Sequence, residues 1–174
     1  HVPFCRHVCP YCDFYKVAIG EEKRGARGRY VQGVLRELEL LLDAHPDLRE
    51  RPLASVYFGG GTPSSLEPDH LSIVLHTILS LVSVDPECEI TLEANPETLT
   101  PSSLASWREA RFNRLSIGVQ SFDDALLKKI GRGHTAATVR RALRRARDAG
   151  FRNLSLDLMF GLPHQSFLQW MESI

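Results

Sequence analysis

The sequence has no excess of either charge. It carries 21 Lys and Arg against 21 Asp and Glu, with 24% of residues charged. That removes the bulk attraction on which a nucleic-acid or anionic-membrane binder draws. No run of about eighteen apolar residues exists to cross a bilayer. No signal-peptide-like apolar stretch stands near His1. There is no low-complexity tract and no closely matched internal repeat. Cysteine is scarce, four residues in 174, which gives little basis for a disulfide framework in a chain of this size. What is present is an ordinary globular composition, 43% hydrophobic, enough for one core. The chain opens at His1 without a methionine and stops at Ile174 in mid-pattern. It reads as a piece of a longer protein: one core domain over 1–174, incomplete at both ends, its C-terminal domain absent.

Three of the four cysteines, Cys5, Cys9 and Cys12, crowd into "CRHVCPYCDF". In a cytoplasmic chain such a cluster reads as metal-binding. Zinc would need a fourth ligand, for which His7 and Asp13 stand nearest. An iron–sulfur cubane has four irons, so three thiolates would leave one open to a non-protein ligand. Cys88 lies near the start of a later strand. About six strand residues separate it from Glu93, on the order of 17–20 Å, so it reads as a buried small hydrophobe.

Strand-like and helix-like segments alternate. "HVPF" reads as the end of a strand and residues 16–29 as a polar loop. A helix follows on Val31, Val34, Leu35, Leu38, Leu41 and Leu42. "PLASVYFGGG" is a strand running into glycines, and a helix follows on Leu71, Val74, Leu75, Ile78, Leu79 and Val82. "EITLEANPE", "RLSIGVQSF" and "NLSLDLMFGLP" are further strands. Thr135 can cap the helix that Gly150 ends. The strands read as near-continuous apolar runs, as if both sheet faces were covered. About five βα units of this kind predict an α/β fold, a partial (β/α) barrel or an open doubly wound sheet. In either, active residues sit at the carboxyl ends of strands. There the sequence places the glycines after Phe58, Glu93 with Asn95, Gln120 and Asp157. The arginines at 140, 141, 144, 145 and 147 predict a solvated outer helix.

"C-x3-C-x2-C" at the end of a first strand resembles the signature of radical SAM enzymes. "VYFGGGTPS", "LEANPE", "RLSIGVQSFDDALLKKIGRGH" and "LSLDLMFGLPHQ" narrow the resemblance to the oxygen-independent coproporphyrinogen III oxidase family, in the family's order and over nearly the whole chain. The resemblance selects the TIM-like barrel. It implies that Cys5, Cys9 and Cys12 ligate a [4Fe–4S] cluster and that S-adenosylmethionine (SAM) chelates the open iron. An electron from the cluster then cleaves the sulfonium to release a 5′-deoxyadenosyl radical. It implies SAM contacts at Gly60, Gly61, Thr62, Glu93, Gln120, Arg132 and Asp157, with Tyr11 beside the adenine. Read without the resemblance, the glycines could form a plain turn, Glu93 a solvated surface group, Arg132 an ordinary loop residue, and Tyr11 packing for its loop. Asp157, in an apolar strand, reads as a buried carboxylate in need of partners.

Two functional classes share this core. The oxidase decarboxylates two propionates of coproporphyrinogen III. A second group, the haem chaperones, keeps the cluster and SAM site, binds haem and hands it to acceptor haem proteins. The oxidase pattern has a further cysteine two residues after the third, where this chain has Phe14. The resemblance is therefore to the chaperone group, with the oxidase as alternative and a structural metal-cluster module as a third reading. It further implies an electron donor such as flavodoxin or ferredoxin, and membrane contact only through partners. His134 is a candidate haem ligand, though a hydrogen-bonding role fits a loop histidine better.

Overall fold

Two parallel strands of two residues each open the chain, β1 (Phe4–Cys5) and β2 (Val17–Ala18). Then follow α1 (Ala26–Ala44), β3 (Leu53–Phe58), α2 (Pro68–Leu81), β4 (Val84–Ala94), α3 (Pro101–Glu109), β5 (Arg114–Gln120), α4 (Asp124–Lys129), α5 (Ala136–Asp148), β6 (Asn153–Leu158) and α6 (Phe167–Met171). These elements come from a computed structural model that describes residues 1–20 and 25–174. Residues 21–24, inside the expected loop, lie outside the described residues. That loop is shorter than expected, because α1 begins at Ala26 behind a left-handed Gly25.

Strands β3 to β6 form one all-parallel sheet in chain order, the product of successive βα units. The first strand joins less of it than "HVPF" suggested. Besides β2, it bonds to the glycine loop after β3 and not to β3 itself. The N–H of Val2 donates to the Gly59 carbonyl at 2.7 Å, and Gly61 N–H returns a bond to Val2 at 2.7 Å. Thr62 N–H donates to the Phe4 carbonyl at 2.8 Å. The cysteine strand and the glycine loop are thereby one backbone unit.

The expected apolar runs prove to alternate. Val56, Phe58, Ile90, Leu92, Leu115, Ile117, Leu154 and Leu156 belong to the core. Between them stand Tyr57, Thr91, Glu93, Arg114, Ser116, Asn153 and Asp157. Side chains alternate faces along a strand, so only one face packs on the helices. The other face is polar and internally bonded. Tyr57 OH donates to Glu93 at 2.7 Å, Ser116 OH to Asp157 at 3.1 Å, and Arg114 pairs with Glu89 at 3.5 Å. A polar face suits a wall that holds a polar ligand.

The helical layer seals the apolar face through Leu71, Leu75, Leu104, Trp107, Val139 and Ala146, all essentially buried. Thr100 and Thr135 cap α3 and α5 by accepting the N–H of Ser103 and Thr138, each cap worth about 1 kcal/mol. Gly150 ends α5 with φ +88°. The five arginines of α5 are exposed, as its amphipathic pattern predicts, although Ala142 is buried there more fully than Leu143. Cys88 is buried in β4, in the middle of the strand and not at its start, because β4 already begins at Val84.

Candidate functional site

At the carboxyl ends of the strands lies a cleft of about 270 Å³, near the low end of ordinary small-molecule sites, roughly 300–1,000 Å³. Gly60, Glu93, Gln120 and Asp157 line it, with Phe14 on its wall. A smaller cavity of about 60 Å³ adjoins it, lined by Cys5, Cys9, Cys12 and Lys16 among others. Tyr11, Cys12, Gly61, Thr62, Asn95 and Arg132 line both. All eleven residues expected at the site thus gather around two cavities with a common wall. Cys88 lines neither.

The cysteine loop is a closed turn. Cys12 N–H donates to the Cys9 carbonyl at 3.1 Å, and Lys16 Nζ donates to the Cys12 carbonyl. All three thiols are free, Cys5 and Cys9 buried and Cys12 half-buried. Burial pushes the Cys5 thiol up, against a hydrogen bond from the Thr62 hydroxyl at 3.6 Å. Among the described residues no three His, Cys, Asp or Glu groups converge on the position of one metal ion. The thiols instead surround a cavity. That arrangement fits a group of several irons, each cysteine on a different iron.

The glycine loop is shaped by contact. A Cβ on Gly61 would stand 2.9 Å from Cys5 Sγ and 2.9 Å from the Pro3 carbonyl carbon and oxygen. Gly60 has φ +120°, and its N–H donates to Glu93 Oε2 at 3.0 Å. Glu93 therefore grips this loop with one oxygen and Tyr57 with the other. Burial, with the Glu93 bond, pushes Tyr57 up to about 12, so it stays a donor.

Arg132 is more committed to the protein than a ligand-binding loop residue would be. Its Nη2 donates to Asn95 Oδ1 at 2.6 Å and to the Gly118 carbonyl at 2.7 Å. Its Nη1 lies 3.7 Å from Cys9 Sγ and 3.5 Å from Tyr11 OH. Its Nε is buried with no hydrogen-bond partner among the described residues. Burial pushes Tyr11 up to about 12, although Arg132 opposes the shift. Gln120 ends β5 at φ +70°, beside a register shift against β6. Such an irregularity re-aims a side chain at a strand end, here into the cleft.

Asp157 departs from expectation. It is exposed and not buried, because it stands on the polar face of β6 in the wall of the open cleft. It accepts a hydrogen bond from the Ser116 hydroxyl at 3.1 Å. His134 is the reverse case, with its side chain 0% exposed. Its Nε2 lies 3.0 Å from the Val119 carbonyl, and its Nδ1 faces Glu97 at 3.4 Å, near enough for ion-pair attraction but not aligned as a hydrogen bond. Burial would raise the Glu97 carboxyl. The adjacent His134 and the residue's own backbone N–H outweigh that and hold it below the usual range. A side chain so enclosed is a packing and hydrogen-bonding residue, and not a ligand for an incoming porphyrin.

Sequence reasoning missed Gly118, Ser116 and Lys16. Gly118 had a signal, since a glycine inside a strand marks a close approach. A Cβ there would meet Gln120, Arg132 and Asn95 at 3.1–3.3 Å.

A parallel βα sheet with three free thiols on the first strand and its loop, a glycine loop bonded to that strand and a polar cleft beside both is the architecture of a cluster-bearing barrel protein. The family model of the radical SAM superfamily matches residues 1–174, and the chain belongs to that superfamily. Membership implies a [4Fe–4S] cluster and SAM. The chain is 40% identical to the heme chaperone HemW of Bacillus subtilis, over 100% of this chain and 45% of the relative. It is 38% identical to the mouse "Radical S-adenosyl methionine domain-containing protein 1, mitochondrial", covering 100% of this chain and 38% of the relative. Its backbone matches the coproporphyrinogen III oxidase HemN of Escherichia coli with a TM-score of 0.85 at 26% identity, over 99% of this chain and 39% of that one. The fold is thus the TIM-like core of these proteins in part. The chain spans under half the length of each. No helix among the described residues is long and apolar enough to cross a membrane.

Proposed function

We propose that residues 1–174 are the cluster- and SAM-binding core domain of a haem chaperone. In this reading Cys5, Cys9 and Cys12 hold the cluster in the small cavity. SAM lies in the larger cleft, where Gly60, Gly61, Thr62, Glu93, Gln120, Arg132, Asp157 and Tyr11 would contact it. The observation that carries this is the wall shared by the two cavities, which puts a bound ligand next to the thiols. Together the two groups supply one-electron chemistry on a sulfonium. The chain's own part is placement: Glu93 fixes the glycine loop, Arg132 ties Gly118 and Asn95 to the cysteine loop, and Lys16 closes that loop.

Phe14 favours the chaperone over the oxidase. It is 67% exposed on the cleft wall, where the oxidase pattern has a thiol. A phenyl ring offers apolar surface to a flat porphyrin and no redox or proton chemistry. The partners of the whole protein would be haem, an acceptor haem protein, and a small electron carrier of the flavodoxin or ferredoxin type. Free thiols suit a reducing compartment, here placed as the cytoplasm. The test uses the intact, cluster-loaded protein under anaerobic conditions. Haem titration should shift the Soret band, and coproporphyrinogen III with SAM and reductant should not be decarboxylated. Turnover at enzymatic rates would restore the oxidase. Neither haem binding nor turnover would remove both readings.

A further inference from the structure

Asn95 stands directly after β4 with its side chain on the wall between the two cavities. Its amide is engaged at both ends. Oδ1 accepts from Arg132 Nη2 at 2.6 Å, and Nδ2 donates to Thr62 Oγ1 at 3.3 Å. The orientation is fixed by chemistry, because a guanidinium can only donate and so must face the amide oxygen. The Thr62 hydroxyl has one hydrogen. Since Thr62 accepts from Asn95, that hydrogen is free for Cys5 Sγ at 3.6 Å. Arg132, held by Asn95 and the Gly118 carbonyl, presents Nη1 to Cys9 Sγ at 3.7 Å. These distances are ordinary for bonds to sulfur. The result is a continuous path from Cys5 through Thr62, Asn95 and Arg132 to Cys9.

We propose that Asn95 is a positioning residue that aims two hydrogen-bond donors, Thr62 Oγ1 and Arg132 Nη1, at two of the three thiolates and so sets the reduction potential of the cluster. The inference rests on the reading that Cys5, Cys9 and Cys12 hold the cluster. Its physical basis is charge. One-electron reduction of the cluster adds negative charge that spreads onto the sulfurs. Donors aimed at sulfur stabilise the reduced form more than the oxidised one and raise the potential. Asn95 touches no thiol itself. It decides which way the Thr62 hydrogen points and where the Arg132 fork sits.

The experiment is an anaerobic redox titration of the intact, reconstituted protein without SAM. Dithionite supplies the electron through mediator dyes, and electron paramagnetic resonance follows the reduced cluster. Iron and sulfide per chain are measured in parallel. Asn95→Leu should load a full cluster and show a midpoint shifted to more negative potential. Thr62→Val should shift it the same way. The double variant should shift it by less than the two single shifts summed, because Asn95 acts partly through Thr62. If Asn95→Leu loads poorly, Asn95→Asp serves instead. It keeps the Arg132 contact but draws the Thr62 hydrogen away from Cys5, and its shift should shrink in the Thr62→Val background. An unchanged midpoint in an Asn95 variant with full iron and sulfide, or strictly additive shifts, overturns the proposal. A wild-type protein that takes up no cluster overturns instead the ligand assignment beneath it.

Discussion

Replacing Gly61 by alanine should damage the cluster site more than any exposed feature of the fold. The added methyl would stand 2.9 Å from Cys5 Sγ and from the carbonyl carbon and oxygen of Pro3, against about 3.5 Å for ordinary carbon contacts. The short thiol can swing aside, at the cost of its aim. The Pro3 carbonyl has no such freedom, because it accepts the Val17 N–H at 2.7 Å and closes the base of the cysteine loop. Overpacking of this kind costs ~1–3 kcal/mol. That is a fraction of the ~5–15 kcal/mol that holds a typical domain, so the fold should survive while Cys5 is displaced. Gly33 is the control. It lies exposed within α1 with nothing within 4 Å of an added Cβ, and alanine there should stabilise the helix by ~0.5–1 kcal/mol. The assay is iron and sulfide per chain after anaerobic reconstitution of the intact protein, with its urea midpoint. Gly61→Ala should lose both metal and stability, and Gly33→Ala should load fully with a raised midpoint. Wild-type iron content and an unchanged midpoint in Gly61→Ala would refute the steric reasoning.

Cys5→Ala, Cys9→Ala and Cys12→Ala should each abolish the visible iron–sulfur absorbance of the intact protein. Cys88→Ala should keep it and lose only packing, less than ~2 kcal/mol; a colourless but folded Cys88→Ala would contradict its placement. Glu93→Gln turns one of two accepting oxygens into a donor facing a donor, at a cost of ~1–3 kcal/mol. SAM affinity by calorimetry should fall roughly tenfold to a hundredfold with iron retained, and equal affinity would take Glu93 out of the site. Glu97 is held below the usual carboxylate range, so its contribution is fully present above its unfolded value of about 4.3 and lost as pH falls through its lower folded value. Urea midpoints of the cluster-free intact protein from pH 6 to pH 3 should therefore fall further in wild type than in Glu97→Gln, and parallel curves would count against the buried Glu97–His134 pair.

The candidate site residues were the most legible part of the sequence. Thiols at short spacing, glycines at a strand end and charged residues in apolar surroundings all break the rules of plain packing, and the structure collects them on two adjoining cavities. The strand pattern was misread. "LSIGV" and "LSLDL" look like buried runs because the serines are small, yet their period of two separates a core face from a polar face. Asp157 followed from that error. An apolar strand implies a buried carboxylate, whereas a polar face that lines the open cleft leaves it exposed. Arg132 lines both cavities, and its partners were not foreseen. Its bonds to Gly118 and Asn95 depend on a crossing of loops some 14 and 37 residues apart, which no local pattern encodes. The six-residue α4 was too short to stand out from the motif that contains it.

The pairing of β1 with β2 has a consequence for the cysteine segment. The cysteine segment leaves the fold at Cys5 and returns at Val17, and the backbone bonds Val17–Pro3 and Ile19–Cys5, each 2.7 Å, shut it at the neck. Closing a loop costs entropy, and these backbone bonds offset that cost with contacts that involve no thiol. A group held by Cys5, Cys9 and Cys12 would therefore bind a loop whose ends the chain itself has joined, which sets the segment apart from small zinc modules that are unfolded without their ion.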